Sequence, residues 1–373
     1  MTVYKTSSSA ISLATPAAAS ESPPRGRGSA IRPDGRFLVH RRDAFDDGWQ
    51  HEDDAPAPLR TELFVDNARR VINYNSSPDI PFDRSINPYR GCEHGCVYCF
   101  ARPSHAYLDL SPGLDFETKL FWKPDAPSLL RKELAAPGYR CAPIALGMNT
   151  DAWQPVERHT GLTRQLLEVL LEARHPVSLI TKSALIERDL DLLAELARHD
   201  LVEVMISVTT LDDGLARRLE PRAARPARRL ETIRRLHQAG IPVGALFAPL
   251  IPALNDHEME AVVEAAHAVG ARTAGYVVLR LPLELKDVFE DWLHTHVPDR
   301  ARHVMSRIAD LRGGRANDPR FGSRMRGEGV VAELYRQRMN RLHARLGLGR
   351  SRRKLNTTAF TPPQQKGPQL TLF

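Results

Sequence analysis

Cysteine is scarce in this chain: four in 373 residues, three of them inside the run Arg90-Gly-Cys-Glu-His-Gly-Cys-Val-Tyr-Cys-Phe100. So few, so closely spaced, exclude a disulfide scaffold, because loops of two or three residues close poorly across a disulfide. Met1 to Pro24 is rich in Ala, Ser and Pro and lacks the continuous apolar stretch of an export signal, so it is expected to be disordered. No apolar run approaches the length of a membrane span, which excludes a helical membrane protein. These absences predict a cytoplasmic protein with reduced thiols. Lysine is sparse beside arginine, and the net charge of +7 gives a pI of about 9.4. That balance is compatible with a polyanionic partner, although charge alone does not separate nucleic acid from solubility.

The spacing C-x3-C-x2-C at Cys92, Cys96 and Cys99 offers three thiolates for three corners of a [4Fe–4S] cluster. Clusters that only carry electrons usually have a cysteine on every iron. A fourth iron left open is a place for a reacting ligand. S-adenosylmethionine (SAM) suits it, since its amino and carboxylate groups chelate iron and its sulfonium accepts an electron. The competing reading is a Cys3His zinc site that uses His94, which would make the chain a zinc-stabilised adaptor. Structural zinc sites usually pair two short knuckles, and no second C-x-x-C or H-x3-H is present. Spacing favours the cluster.

Tyr98, just before the third cysteine, sets a flat ring where an adenine can pack. With it the segment resembles the radical SAM superfamily. Ser85-Ile-Asn-Pro-Tyr-Arg-Gly-Cys-Glu-His-Gly-Cys and Ala101-Arg-Pro-Ser-His-Ala-Tyr resemble a bacterial branch related to spore photoproduct lyase, and this similarity runs from about Gly26 to Leu348. The resemblance implies a partial (β/α)6 TIM-like barrel, a [4Fe–4S] cluster, SAM and an external one-electron reductant.

Periodicity independently predicts an α/β chain. Short apolar runs at Pro143–Met148, Val177–Thr181, Val202–Val208, Val243–Ala248 and Tyr276–Leu279 alternate with amphipathic stretches at Thr163–Ala173, Asp189–Arg198, Ala227–Ala239, Asp256–Val269 and Leu283–His294. A first strand near Ser85–Tyr89 brings the βα units to about six. The expected organisation is a disordered N-terminus (1–25), an N-terminal extension (26–82), the barrel (83–300), a helical region (301–348) and a basic, Pro-rich flexible tail (349–373).

In parallel αβ folds chemistry gathers at the C-terminal ends of the strands. The second ends at Asn149 and Thr150, which either bond the methionine end of SAM or cap the next helix. The third ends at Lys182, a cation that either meets the SAM carboxylate or is solvated. The fourth ends at Ser207, within reach of a ribose hydroxyl. In the spore photoproduct lyase family a Ser or Thr, a Lys and a Ser at these places contact SAM, which implies that role for Thr150, Lys182 and Ser207. The resemblance likewise implies that the turn Leu219-Glu-Pro-Arg-Ala223 offers Arg222 to a carboxylate, and that Ala248-Pro249 meets the adenine. One departure stands out. That lyase uses a cysteine at the end of the second strand as hydrogen donor, and here Met148 and Asn149 occupy that neighbourhood. The spare thiol, Cys141, precedes the strand and reads as a small buried hydrophobe.

The chain finishes in Gln369-Leu-Thr-Leu-Phe373, an apolar cluster on a polar, Pro-rich tail spanning Asn356 to Pro368. It resembles the peptide by which bacterial proteins bind the DNA sliding clamp, so Gln369, Leu370, Leu372 and Phe373 are candidate partner-binding residues. Such a tail would bring the enzyme to DNA, where Arg222 to Arg229 and Arg312 to Arg326 are expected to follow phosphates. RNA or protein modification is the alternative within the same chemistry.

Overall fold

The computed structural model describes residues 24, 26–37, 59–349 and 354–364. Ten strands occur among them: β1 Glu62–Val65, β2 Ile72–Tyr74, β3 Arg84–Ile86, β4 Tyr89–Arg90, β5 Lys119–Trp122, β6 Ile144–Leu146, β7 Val177–Thr181, β8 Val202–Ser207, β9 Val243–Leu250 and β10 Thr273–Val278. Six of them, β3-β6-β7-β8-β9-β10, form a continuous parallel sheet, and β2 adds an antiparallel edge on β3. This is the six-stranded partial barrel, with β10 at its open edge.

The repeating unit follows from burial on both faces of a parallel sheet. The centres of β7 and β8 are almost wholly apolar, and each βα helix lays one stripe on them. The helix Leu162–Glu172 buries Leu162, Leu166, Val169 and Leu170, one face at helical spacing. Prolines pre-set the first turn of the helices Pro226–Gln238 and Pro298–Asp310. Asp212 caps the helix Asp213–Leu219, accepting from Gly214 N at 2.7 Å and Leu215 N at 3.1 Å.

Three elements depart from the sequence expectation. The first strand stops at Ile86, because Pro88 offers no N–H to the ladder. The chain leaves there and Tyr89–Arg90 pairs instead with β5, in a small three-stranded sheet of order β1-β5-β4. Residues 354–364, expected to be unstructured, lie against the barrel. Asn356 N donates to Asp200 O and Thr361 N to Ala173 O, both at 2.9 Å, and the Phe360 ring meets His175 edge-on with centroids 5.4 Å apart. The residues Gln369, Leu370, Leu372 and Phe373, like most of 1–25, lie outside the described residues.

Two core histidines carry a pH consequence. His175 is fully buried between Pro176 O (Nδ1, 3.0 Å) and Tyr139 Oη (Nε2, 2.9 Å). His105 is also fully buried, with Nε2 on Lys119 O at 2.9 Å and Nδ1 without a partner among the described residues. Burial lowers both from 6.5 to about 4. A histidine whose folded pKa is depressed binds its proton more readily in the unfolded chain. Stability is therefore full above pH 6.5 and falls as pH drops from 6.5 to 4, by up to about 2–3 kcal/mol per pH unit for two such protons. Urea unfolding across that window should show this fall, and His175→Phe should reduce its slope by about one proton.

Candidate active site

The cysteine loop leaves β4 through Gly91, at φ +78°, where a Cβ would strike Leu120 and the Phe116 carbonyl. Its shape is held from inside by Arg102, fully buried, whose guanidinium donates to Cys96 O (2.9 Å), Gly95 O (3.2 Å), Gly113 O (2.8 Å) and Glu117 Oε1 (2.5 Å). Glu117 in turn accepts Gly28 N at 2.9 Å and Ser29 N at 3.0 Å. A leading strap, residues 26–31, is thereby pinned onto the back of the loop. The fit is close: a Cβ on Gly28 would come within 1.8 Å of Gly95 O.

Cys92 is buried, and Cys96 and Cys99 are half-buried. Backbone N–H groups face the sulfurs, from His94 to Cys92 and from Ala101 and Arg102 to Cys99. Burial pushes all three thiols up, while Lys182 opposes it at Cys96 and Cys99, joined by Arg229 at Cys96 and by Arg102 at Cys99. N–H donors and cations around a thiol trio suit anionic sulfurs that hold a cluster. His94, the would-be fourth zinc ligand, turns Nδ1 to Asp151 Oδ2 at 3.4 Å. The residues fit a cubane cluster better than one zinc.

The strand ends facing the loop bring four expected residues together. Lys182 Nζ donates to Ser207 Oγ at 3.1 Å and stands 5.8 Å from the Tyr98 ring centroid. Ser207 Oγ donates to Ala248 O at 3.1 Å. The other three bond elsewhere. Thr150 Oγ1 donates to Tyr89 O at 2.8 Å, Asn149 N bonds Asn87 Oδ1 at 3.0 Å, and Arg222 pairs with Glu93 at 3.1 Å on the loop's outer flank.

Sequence reasoning missed the group behind Tyr98. Glu220, 3% exposed, takes the Tyr98 hydroxyl, Thr209 Oγ1 at 2.5 Å and the guanidinium of Arg229. Burial pushes the Glu220 carboxyl up and Arg229 opposes it. Arg229 also donates to Ser207 O at 3.0 Å, coupling this ion pair to the end of β8. The Glu-Pro turn was the available signal for Glu220. Arg229, expected to follow phosphates, is instead spent inside, Arg228 binds Glu187 at 2.5 Å, and Arg312 is buried against the carbonyls of Val278, Leu279, Ser323 and Arg324. Cys141 precedes β6, at the sheet edge opposite the loop, half-buried and raised to about 11 by burial. Ser207→Ala should weaken SAM binding about tenfold, the scale of one or two lost hydrogen bonds, with iron content unchanged; calorimetric titration of the reconstituted protein measures it.

Among the described residues no helix is long and apolar enough to cross a membrane. The chain is 36% identical over 234 residues to the uncharacterized protein Rv2578c of Mycobacterium tuberculosis, covering 62% of this chain and 68% of that one. It is 27% identical over 199 residues to the uncharacterized protein MJ0683 of Methanocaldococcus jannaschii, covering 53% and 71%. Among solved structures, a spore photoproduct lyase complexed with dinucleoside spore photoproduct aligns with a TM-score of 0.46 at 15% identity, covering 63% of this chain and 66% of that one, just under two thirds of its length. The family model described as Radical SAM superfamily matches residues 86–266. The chain belongs to the radical SAM superfamily, enzymes that use a [4Fe–4S] cluster and S-adenosylmethionine.

Proposed function

We propose that this enzyme abstracts hydrogen from a carbon of DNA, acting in the cytoplasm with electrons from an external reductant. The observation that carries the chemistry is the Lys182–Ser207–Ala248 chain of contacts set against Tyr98, with the Lys182 cation acting on Cys96 and Cys99. Cys92, Cys96 and Cys99 hold three corners of the cluster. When bound, cluster and SAM supply a 5′-deoxyadenosyl radical. Lys182 would place a cation for the SAM carboxylate, Ser207 would offer a hydroxyl to the ribose, and the Ala248-Pro249 backbone would meet the adenine. Tyr98, held by Glu220, packs its ring beside the sugar and base.

DNA as substrate is supported by the net charge of +7 and by the clamp-like terminal peptide. A lyase reaction with a cysteine donor is not part of the proposal, since Cys141 sits at the far edge. Turnover with deuterated oligonucleotides tests the reading: label should appear in 5′-deoxyadenosine, and cleavage of SAM that never acquires label from DNA or its unpaired strands would refute the substrate. Deleting Gln369–Phe373 should spare SAM cleavage in vitro and abolish association with the sliding clamp in a pull-down.

A further inference from the structure

β10 is the last strand of the six-stranded sheet, and two polar groups are left orphaned among the described residues, one on it and one just past its end. Tyr276 is 7% exposed and its hydroxyl has no partner among the described residues. Four residues on, where the strand has ended at the mouth, Arg280 buries an Nε that bonds nothing. Its guanidinium meets one acceptor among the described residues, the weak thioether of Met325 at 3.8 Å. Asp79 is the nearby carboxylate, and Arg324 already holds it through Nε at 2.7 Å and a terminal nitrogen at 2.5 Å, with Gly322 N adding a bond at 3.2 Å. Burial and the neighbouring Arg324 lower the Arg280 pKa. A half-buried cation without an anion is costly unless a ligand brings one.

The surroundings say which anion. Arg280 lies 5.5 Å over the ring of Phe100, the residue after the cluster cysteine Cys99, and that ring is 43% exposed. The neighbouring Arg324 lies 4.7 Å over Phe321, which is 58% exposed. Two guanidiniums and two exposed rings thus gather at this seam. A carboxylate would need only the fork of Arg280. A phosphodiester is flanked on both sides by bases, which are flat and stack on exposed rings.

We infer that Arg280 seats a backbone phosphate of an unpaired nucleic-acid strand, whose neighbouring bases stack on Phe100 and Phe321. This deepens the reading of DNA as substrate and rests on it. The seat lies beside the third cysteine, so a strand held there presents its next nucleotide to the Tyr98 side of the mouth. A base in a duplex would have to be turned out to reach it.

The test is fluorescence anisotropy of the cluster-loaded, SAM-bound protein with a labelled ten-nucleotide single strand, its abasic counterpart and the matching duplex. Arg280→Gln should weaken single-strand binding about tenfold and lessen the slope of log affinity against log salt by about 0.7. Phe321→Leu, on an exposed ring and so without risk to folding, should bring the normal strand down to the abasic one. Wild-type binding that Arg280→Gln and Phe321→Leu both leave unchanged overturns the seat while DNA remains the substrate. No binding of any oligonucleotide overturns both. Displacement of the strand by a carboxylate-bearing peptide in wild type but not in Arg280→Gln also overturns the seat, reassigning it to protein.

Discussion

Cys96→Ala should yield a protein without iron, colourless where the wild type carries about four irons and is brown, and its SAM cleavage should fall to background. Two thiolates remain after the substitution, and neither neighbour can replace the third. Glu220 is committed to Arg229, Thr209 and Tyr98, and His94 faces Asp151. The loop itself should survive, because Arg102 grips the main chain at Cys96 O and Gly95 O and not the thiol. The loss is therefore one of cofactor and not of fold, and circular dichroism should be unchanged. Cys141→Ala is the matched control: its thiol stands before β6 on the opposite edge, so iron content and cleavage should both be retained. Iron assay and chromatographic detection of 5′-deoxyadenosine under anaerobic conditions decide both. An iron-loaded, active Cys96→Ala protein would remove the cluster assignment.

The second large effect is structural. Arg229→Met should destabilise the fold by about 3–5 kcal/mol, the usual consequence of stranding one partner of a buried ion pair. Arg229 and Glu220 have side chains only 2% and 1% exposed, so water cannot screen the charge left behind. The substitution also strands the carbonyls of Ala224 and Ser207, which Arg229 serves at 2.7 and 3.0 Å. Adding Glu220→Gln to Arg229→Met should recover part of the loss by removing the unpaired charge. Urea midpoints for the single and double variants measure this. A single variant as stable as wild type would show that Glu220 takes up a proton at little cost.

The barrel was legible in the chain because its signal is repeated. Apolar runs followed by amphipathic stretches mark β7 at its observed bounds and β8 and β9 to within two residues. The small sheet of β1, β4 and β5 was not legible. Its strands are two to four residues long, β1 is exposed throughout, and its partners are distant in sequence. The cysteine triad declared itself by spacing, Lys182 and Ser207 by their places at strand ends, and Ala248 only through the family resemblance. Arginine was the opaque letter. Arg102, Arg229 and Arg312 vanish into the interior while looking, in sequence, like any surface arginine. Their acceptors are Glu117, Glu220 and backbone carbonyls, which no local pattern identifies.

The strap over the cysteine loop bears on how the holoenzyme is assembled. With Gly28 wedged against Gly95 O and Glu117 latching Gly28 and Ser29, the rear of the loop is shut. Iron and sulfide delivered by a carrier are then expected to arrive through the mouth, or before this latch seats. Displacing residues 26–31 is expected to expose the rear of the loop to oxygen with the three cysteines still in place.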